Sequence, residues 1–126
     1  MKSFLKSLLL FSASIPGFAA DEAPFSGKWQ FYIAIGGTSV DQPCTFTQKG
    51  NDLTGTCDTQ NGVVNVSGKV DDKKVTWTYK SNSSEGLLTV TYQGMLELTT
   101  GITRITGNVL VEEMGIQGTF TANQAK

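Results

Sequence analysis

Apolar and polar residues alternate along the chain from residue 27 onward, a period typical of β-strands that bury one face. In the segment KWQFYIAI, the residues Trp29, Phe31 and Ile33 fall on one face. In KVTWTYK, Val75 and Trp77 share a face, and threonine and lysine occupy the other. No segment shows a convincing helical period. The pattern predicts an all-β protein with eight strands, near residues 27–35, 43–49, 53–59, 62–70, 73–81, 86–98, 102–111 and 115–122.

Short polar turns join these strands as hairpins and decide which residues face each other. We place two-residue turns at Gly50-Asn51, Asn61-Gly62, Asp71-Asp72, Ser83-Ser84 and Thr100-Gly101. With these turns every apolar face meets another apolar face, whereas a slip of one residue would set polar side chains against apolar ones. The predicted partners are Cys44 with Cys57, Cys57 with Val66, Val66 with Trp77, Trp77 with Val90, and Gly94 with Gly107.

Glycine recurs two residues after an inward apolar residue on most strands. The positions are Gly55, Gly68, Gly94, Gly107 and Gly118. Glycine inside a strand marks a bend or a close backbone approach, and its repetition indicates a strongly coiled sheet. Because each strand has a single apolar face, we predict a single-domain, antiparallel, up-and-down β-barrel, with an open meander or a sandwich as the alternatives.

The two cysteines, Cys44 and Cys57, fall directly opposite each other in the predicted register. A zinc site would need further ligands, and the chain has no histidine. The spacing also lacks the C-x-x-C form of redox motifs. We therefore predict a structural disulfide. In the chain-entropy model, closing a loop of this size stabilises the folded protein by roughly 3 kcal/mol.

The first residues have the three-part pattern of a signal peptide over 1–19, with cleavage after Ala19 or Ala20. Lys2 and Lys6 precede a short apolar run, which is too short to span a membrane. The barrel domain would then comprise 20–126, with 8 basic residues against 11 acidic ones. We expect an exported protein, periplasmic or extracellular, without a nucleic-acid partner or a membrane span.

The stretch Gly27-Lys28-Trp29 resembles the G-x-W start of lipocalins and avidins. The segments CTFTQKGNDLTGTC, VSGKVDDKKVTWTY, VTYQGML, RITGNV and GIQGTFTA are similar to the small lipocalin-like barrel modules of secreted bacterial proteins. The resemblance implies a calycin-type barrel with Trp29 at its closed end and an arginine packed across it, for which the chain offers Arg104. It implies no activity, because such modules mostly lack an assigned function.

The longer connections, above all GGTSVDQP at 36–43, predict the open end of the barrel. An apolar interior suits a small hydrophobic or aromatic ligand. A barrel of eight strands is also narrow enough for its own side chains to fill, so a packed core is the alternative. The predicted ligand-binding residues are Ile33, Ile35, Val64, Trp77, Tyr79, Leu88, Val111 and Ile116.

The chain offers little for catalysis, because the absence of histidine excludes a Ser-His-Asp arrangement. No metal cluster or cofactor motif is present, so we expect neither an enzyme nor a cofactor. Two alternatives to ligand binding remain. One is a protein-binding module, such as a periplasmic protease inhibitor acting through the ADEAPF arm and the 36–43 loop. The other is a histidine-free cyclase or isomerase that uses Tyr79.

Overall fold

The computed structural model describes residues 23–125, so the predicted signal peptide lies outside the described residues. Each strand pairs antiparallel with the next, and the last strand returns to pair with the first. The result is a closed, eight-stranded up-and-down barrel, as the alternation predicts. A short 3-10 turn at Glu112–Met114 precedes the last strand. The strands are β1 (Gly27–Ile35), β2 (Thr38–Lys49), β3 (Asp52–Thr59), β4 (Gly62–Asp71), β5 (Lys74–Ser83), β6 (Gly86–Thr99), β7 (Ile102–Val111) and β8 (Ile116–Gln124).

Two of the predicted hairpin registers are confirmed. The β2–β3 hairpin turns at Gly50-Asn51 and places Cys44 opposite Cys57. The β6–β7 hairpin places Gly94 opposite Gly107. In both hairpins the apolar faces meet on the inside of the barrel.

Three predicted registers are wrong by two residues, at the β3–β4, β4–β5 and β5–β6 hairpins. The prediction pairs Cys57 with Val66, whereas the structure pairs it with Val64. A shift of two residues keeps every side chain on its predicted face, because the side-chain period of a strand is two. In the other two hairpins Trp77 faces Gly68 on one side and Tyr92 on the other, rather than Val66 and Val90.

Hydroxyl side chains explain where two of these turns lie. Thr59 Oγ1 accepts a hydrogen bond from the backbone N–H of Asn61 at 3.1 Å and donates one to the Gly62 carbonyl at 2.7 Å. Ser83 Oγ makes the same pair of bonds with Glu85 and Gly86. In both turns the hydroxyl residue comes first and glycine fourth, with φ of 114° at Gly62 and 99° at Gly86. A type I turn prefers this order, so the Asn-Gly pair lies one position later in the turn than predicted.

The predicted loop at 36–43 is also wrong, because all but its first two residues belong to β2. A tight turn at Gly36 and Gly37, with φ of 58° and 77°, joins β1 directly to β2. Val40 then pairs with Ile33, so the alternation of β2 begins before Cys44. Pro43 pairs with Gln30 of β1, but β2 pairs with β3 only from Cys44 onward, so position 43 has a strand neighbour on one side only, where proline is tolerated.

Aromatic side chains fill the interior from its middle to one end. Phe31 is fully buried, and its ring centroid lies 5.5 Å from that of Trp77 and 5.6 Å from that of Phe120. The strands approach closely around this cluster. At Gly107, a Cβ would overlap the Gln93 carbonyl oxygen of the neighbouring strand. The predicted close approach at this glycine is therefore confirmed.

Candidate ligand-binding site

A cavity of about 410 Å³ opens at the end of the barrel where the β1–β2, β3–β4 and β5–β6 turns lie. This volume falls within the usual range for small-molecule sites, roughly 300–1,000 Å³. Side chains from four strands, β1, β2, β6 and β7, form an apolar wall. The apolar wall residues are Ile33, Ile35, Val40, Leu88, Val90, Val109 and Val111.

Three buried polar side chains form the inner part of this wall and hydrogen-bond to one another. Gln42 Nε2 donates to the Tyr79 hydroxyl at 3.2 Å, and the Tyr79 and Tyr92 hydroxyls lie 3.2 Å apart. The Tyr92 hydroxyl donates to Gln42 Oε1 at 3.4 Å, which closes the ring of bonds. Burial, reinforced by the neighbouring Tyr79, raises the pKa of Tyr92 well above its ordinary value. Tyr92 is therefore uncharged at neutral pH. Gln42, Tyr79 and Tyr92 together form the polar floor of the cavity.

The Tyr92 ring separates the cavity from the aromatic core beneath it. It stacks on the Trp77 ring with centroids 5.0 Å apart and an angle of 10° between the planes. Trp77 is only 1% exposed. A molecule in the cavity would therefore meet Tyr92, with Trp77 behind it.

The opposite end of the barrel is closed by the segment that leads into β1. Phe25 is fully buried there, and its backbone N–H donates to Gln48 Oε1 at 3.1 Å. Trp29 Nε1 donates to the Phe25 carbonyl at 2.9 Å. Gln48 also donates from its backbone N–H to Ser26 Oγ at 2.8 Å. These bonds fasten Phe25 across the closed end, so the cavity has its opening at the other end.

The wall is incompletely hydrogen-bonded on one side of the cavity. The ladder between β4 and β5 pairs only Ser67–Asp71 with Lys74–Thr78. The remaining part of each strand, 62–66 in β4 and 79–83 in β5, runs toward the open end without cross-strand partners in that ladder. Ser81 and Ser83 of β5 line the cavity beside this gap.

Five of the eight predicted ligand-binding residues lie on the cavity wall. They are Ile33, Ile35, Tyr79, Leu88 and Val111. The other three do not line it. Val64 is half-buried against the core, Trp77 lies beneath Tyr92, and Ile116 faces Val111 at the start of β8.

Among the buried polar side chains of the site, the sequence prediction included Tyr79 but missed Gln42. Gln42, which is 3% exposed, was hidden because residues 36–43 read as a loop. Its signal was the alternation itself, since Gln42 lies two residues before the inward-facing Cys44. The other wall residues absent from the predicted set are Val40, Asp41, Asp58, Thr59, Gln60, Asn61, Ser81, Ser83, Val90, Tyr92 and Val109.

The predicted disulfide lies in the wall just below the cavity. The sulfur atoms of Cys44 and Cys57 are 2.00 Å apart, and both residues are buried. Gln42 lies two residues before Cys44, and Asp58 follows Cys57 directly. The bridge therefore joins β2, which carries Gln42 of the polar floor, to β3, which carries Asp58 at the opening.

The resemblance implies that Arg104 packs across Trp29, but in the structure Arg104 lies elsewhere. Its Nε donates to Glu97 Oε1 at 3.2 Å, and both side chains are substantially exposed. Within residues 23–125 there is no cluster of histidine, cysteine or carboxylate side chains that could hold a metal ion. No helix in the same range has the length and apolar character that crossing a membrane requires.

Comparisons with known proteins leave the family open. No protein-family model matches the chain, and a search of curated proteins finds no match. Among solved structures, the chain is similar to the ywiB protein from Bacillus subtilis, with 14% sequence identity and a TM-score of 0.39. That similarity covers 87% of this chain and 100% of the other.

Proposed function

We propose that this protein is an exported, lipocalin-like barrel that binds a small hydrophobic or aromatic molecule at its open end. The observation that carries the proposal is the unequal filling of the barrel. Aromatic side chains occupy one half of the interior, while the other half holds a cavity of about 410 Å³.

The wall of the cavity supports a ligand with an apolar body and one small polar group. Ile33, Val90 and Val109 present buried apolar surface. Gln42 and Tyr79 supply an amide and a hydroxyl at the inner end. Specific small-molecule sites combine these features, because apolar surface provides affinity and a few polar groups fix orientation.

The disulfide supports the export part of the proposal. Disulfides persist in oxidising compartments and are rare in the cytosol. The Cys44–Cys57 bridge is compatible with the export that the N-terminal pattern predicts. The up-and-down topology and the position of Trp29 at the closed end support the likeness to lipocalins.

The alternative of a protein-binding module receives less support from the geometry. It requires a free N-terminal arm, but Phe25 is buried at the closed end. It also requires a long loop at 36–43, where the chain forms β2. We therefore place ligand binding first.

Filling the cavity from one position tests the proposal. In Leu88→Trp the larger side chain would enter the cavity, because Leu88 lines its wall. Leu87→Trp makes the same change at the next residue, which is 55% exposed. We expect 1-naphthalenemethanol, measured by calorimetry, to bind wild type and Leu87→Trp alike and to lose at least about 10-fold in affinity for Leu88→Trp. Equal affinity for both variants, or no binding to wild type, would contradict the proposal.

A further inference from the structure

Charge is distributed unevenly between the two ends of the barrel. Asp41 and Asp58 lie on the rim of the cavity, and Glu85 lies in the β5–β6 turn. Glu112 and Glu113 form the turn before β8. Among residues 23–125, the cationic side chain at this end is Lys80, near the end of β5, so five carboxylates face one ammonium group.

The ammonium group of Lys80 is linked to Glu113 through Thr89. Its Nζ donates to Thr89 Oγ1 at 2.9 Å, and Thr89 Oγ1 donates to Glu113 Oε2 at 2.6 Å. Glu113 Oε1 also accepts the backbone N–H of Thr89 at 2.6 Å. Lys80 and Glu113 therefore offset each other locally, which leaves four carboxylates around the opening without a cation at that end of the described chain.

The closed end has the opposite balance. It holds four carboxylates, and two of them, Asp52 and Glu97, form ion pairs with Lys69 and Arg104. The cations at this end outnumber the carboxylates. They are Lys28, Lys49, Lys69, Lys73, Lys74 and Arg104.

We infer that the ligand of the cavity is an organic cation, an amine attached to an apolar or aromatic body, and that the opening disfavours carboxylates. The inference rests on the proposed function, because it names the class of molecule for the same cavity. The described part of the cavity wall carries no lysine or arginine to meet an anion. A field of one sign around a cleft raises the local concentration of the opposite charge. The polar floor contains no carboxylate, lysine or arginine, so the preference would arise from the charges at the rim.

Three probes that share a naphthalene body distinguish binding in the cavity from a preference for positive charge. They are 1-naphthylmethylamine, which is a cation at neutral pH, the neutral 1-naphthalenemethanol, and the anion 1-naphthylacetate. A carboxylate about 8 Å from a bound charge in water changes the affinity roughly 2-fold, so several acting together give a measurable ratio. At low salt we expect the amine to bind at least about 5-fold tighter than the acetate, with a ratio that shrinks at high salt.

Two double variants with the same change in charge locate the effect. Asp41→Asn with Asp58→Asn should lower the ratio of amine to acetate affinity by at least about 3-fold. Asp71→Asn with Asp72→Asn, at the closed end, should leave the ratio as in wild type.

The outcomes are distinguishable. Binding of the alcohol without any preference for the amine over the acetate would overturn the inference and leave the proposed function standing. A preference that responds equally to both double variants would also overturn it. Failure of all three probes to bind would overturn both the inference and the proposed function.

Discussion

The two halves of the barrel are built from the same alternating strands but use their interiors differently. In the closed half, the rings of Phe31, Phe46 and Trp77 contact one another at centroid distances of 5.2–5.9 Å. In the open half, branched aliphatic residues line the wall and do not meet across the cavity. An alternating pattern therefore fixes which side chains point inward, while their size decides whether the interior is filled.

The largest predicted effect separates the halves through two residues of one strand. Phe31→Ala removes a fully buried ring and should cost about 3–5 kcal/mol of unfolding free energy. Ile35→Ala, four residues later on the cavity wall, should cost about 1 kcal/mol, because Ile35 is only half-buried. Denaturant unfolding of both variants measures the difference. Equal costs would mean that the open half is packed as tightly as the closed half.

The disulfide tests how far the open half depends on covalent support. Replacing Cys44 and Cys57 together with alanine should lower the free energy of unfolding by about 3 kcal/mol, because the unfolded chain gains freedom. Dithiothreitol should destabilise the wild type by a similar amount and leave the double variant unchanged. Stability of the wild type that does not respond to the reductant would contradict this account. We also expect weaker binding of 1-naphthalenemethanol without the bridge, since it lies just below the cavity.

A pair of glutamines compares the ends more finely. Gln48→Ala leaves the backbone N–H of the buried Phe25 without its acceptor and should cost about 1–3 kcal/mol. Gln60→Ala removes an exposed side chain at the rim and should change stability by less than about 0.5 kcal/mol. Both values come from the same denaturant experiment. An equal loss of unfolding free energy in both variants would contradict the role of Gln48 in holding Phe25 across the closed end.

The smallest effect concerns Glu113 at the open end. Hydrogen bonds from the hydroxyl and the backbone N–H of Thr89 lower the pKa of Glu113. A lowered pKa contributes stability above the ordinary carboxyl range, and this contribution is lost as the pH falls through the folded-state value. Glu113→Gln should therefore reduce the loss of Tm on acidification from about pH 6 to pH 3. Glu85→Gln, which removes a charge from the neighbouring turn, is the control, and an equal change in both variants would contradict the role of Thr89.

The barrel could be predicted from the sequence because the alternation of inward and outward positions along a strand, here called parity, is a strong signal. Each strand has one apolar face, and a slip of one residue would turn that face outward. Register is a weaker signal, since a slip of two residues exchanges one inward residue for another. The hydroxyl groups of Thr59 and Ser83 and the glycines that close their turns supply the missing information. Reading the Asn61-Gly62 pair as the centre of a two-residue turn moved the register by two.

The candidate site was less predictable than the fold. Ile33, Leu88 and Val111 follow from parity and from their positions near the open end. Trp77 and Tyr92 have the same parity, but only the three-dimensional structure shows that Tyr92 lies between the cavity and Trp77. Gln42 was missed because proline and glycine nearby suggested a loop. Polar residues at inward positions need their partners to be recognised, and these partners come from distant strands.

The central claim is that the barrel is packed at one end and receives a ligand at the other. Methyl NMR of the labelled protein during a titration with 1-naphthalenemethanol tests it most directly. We predict that the methyl signals of Ile33, Ile35, Leu88 and Val111 shift, while those of Leu53, Val75 and Ile105 in the closed half stay in place. Shifts of equal size in both groups, or no shifts at a saturating concentration, would contradict the account.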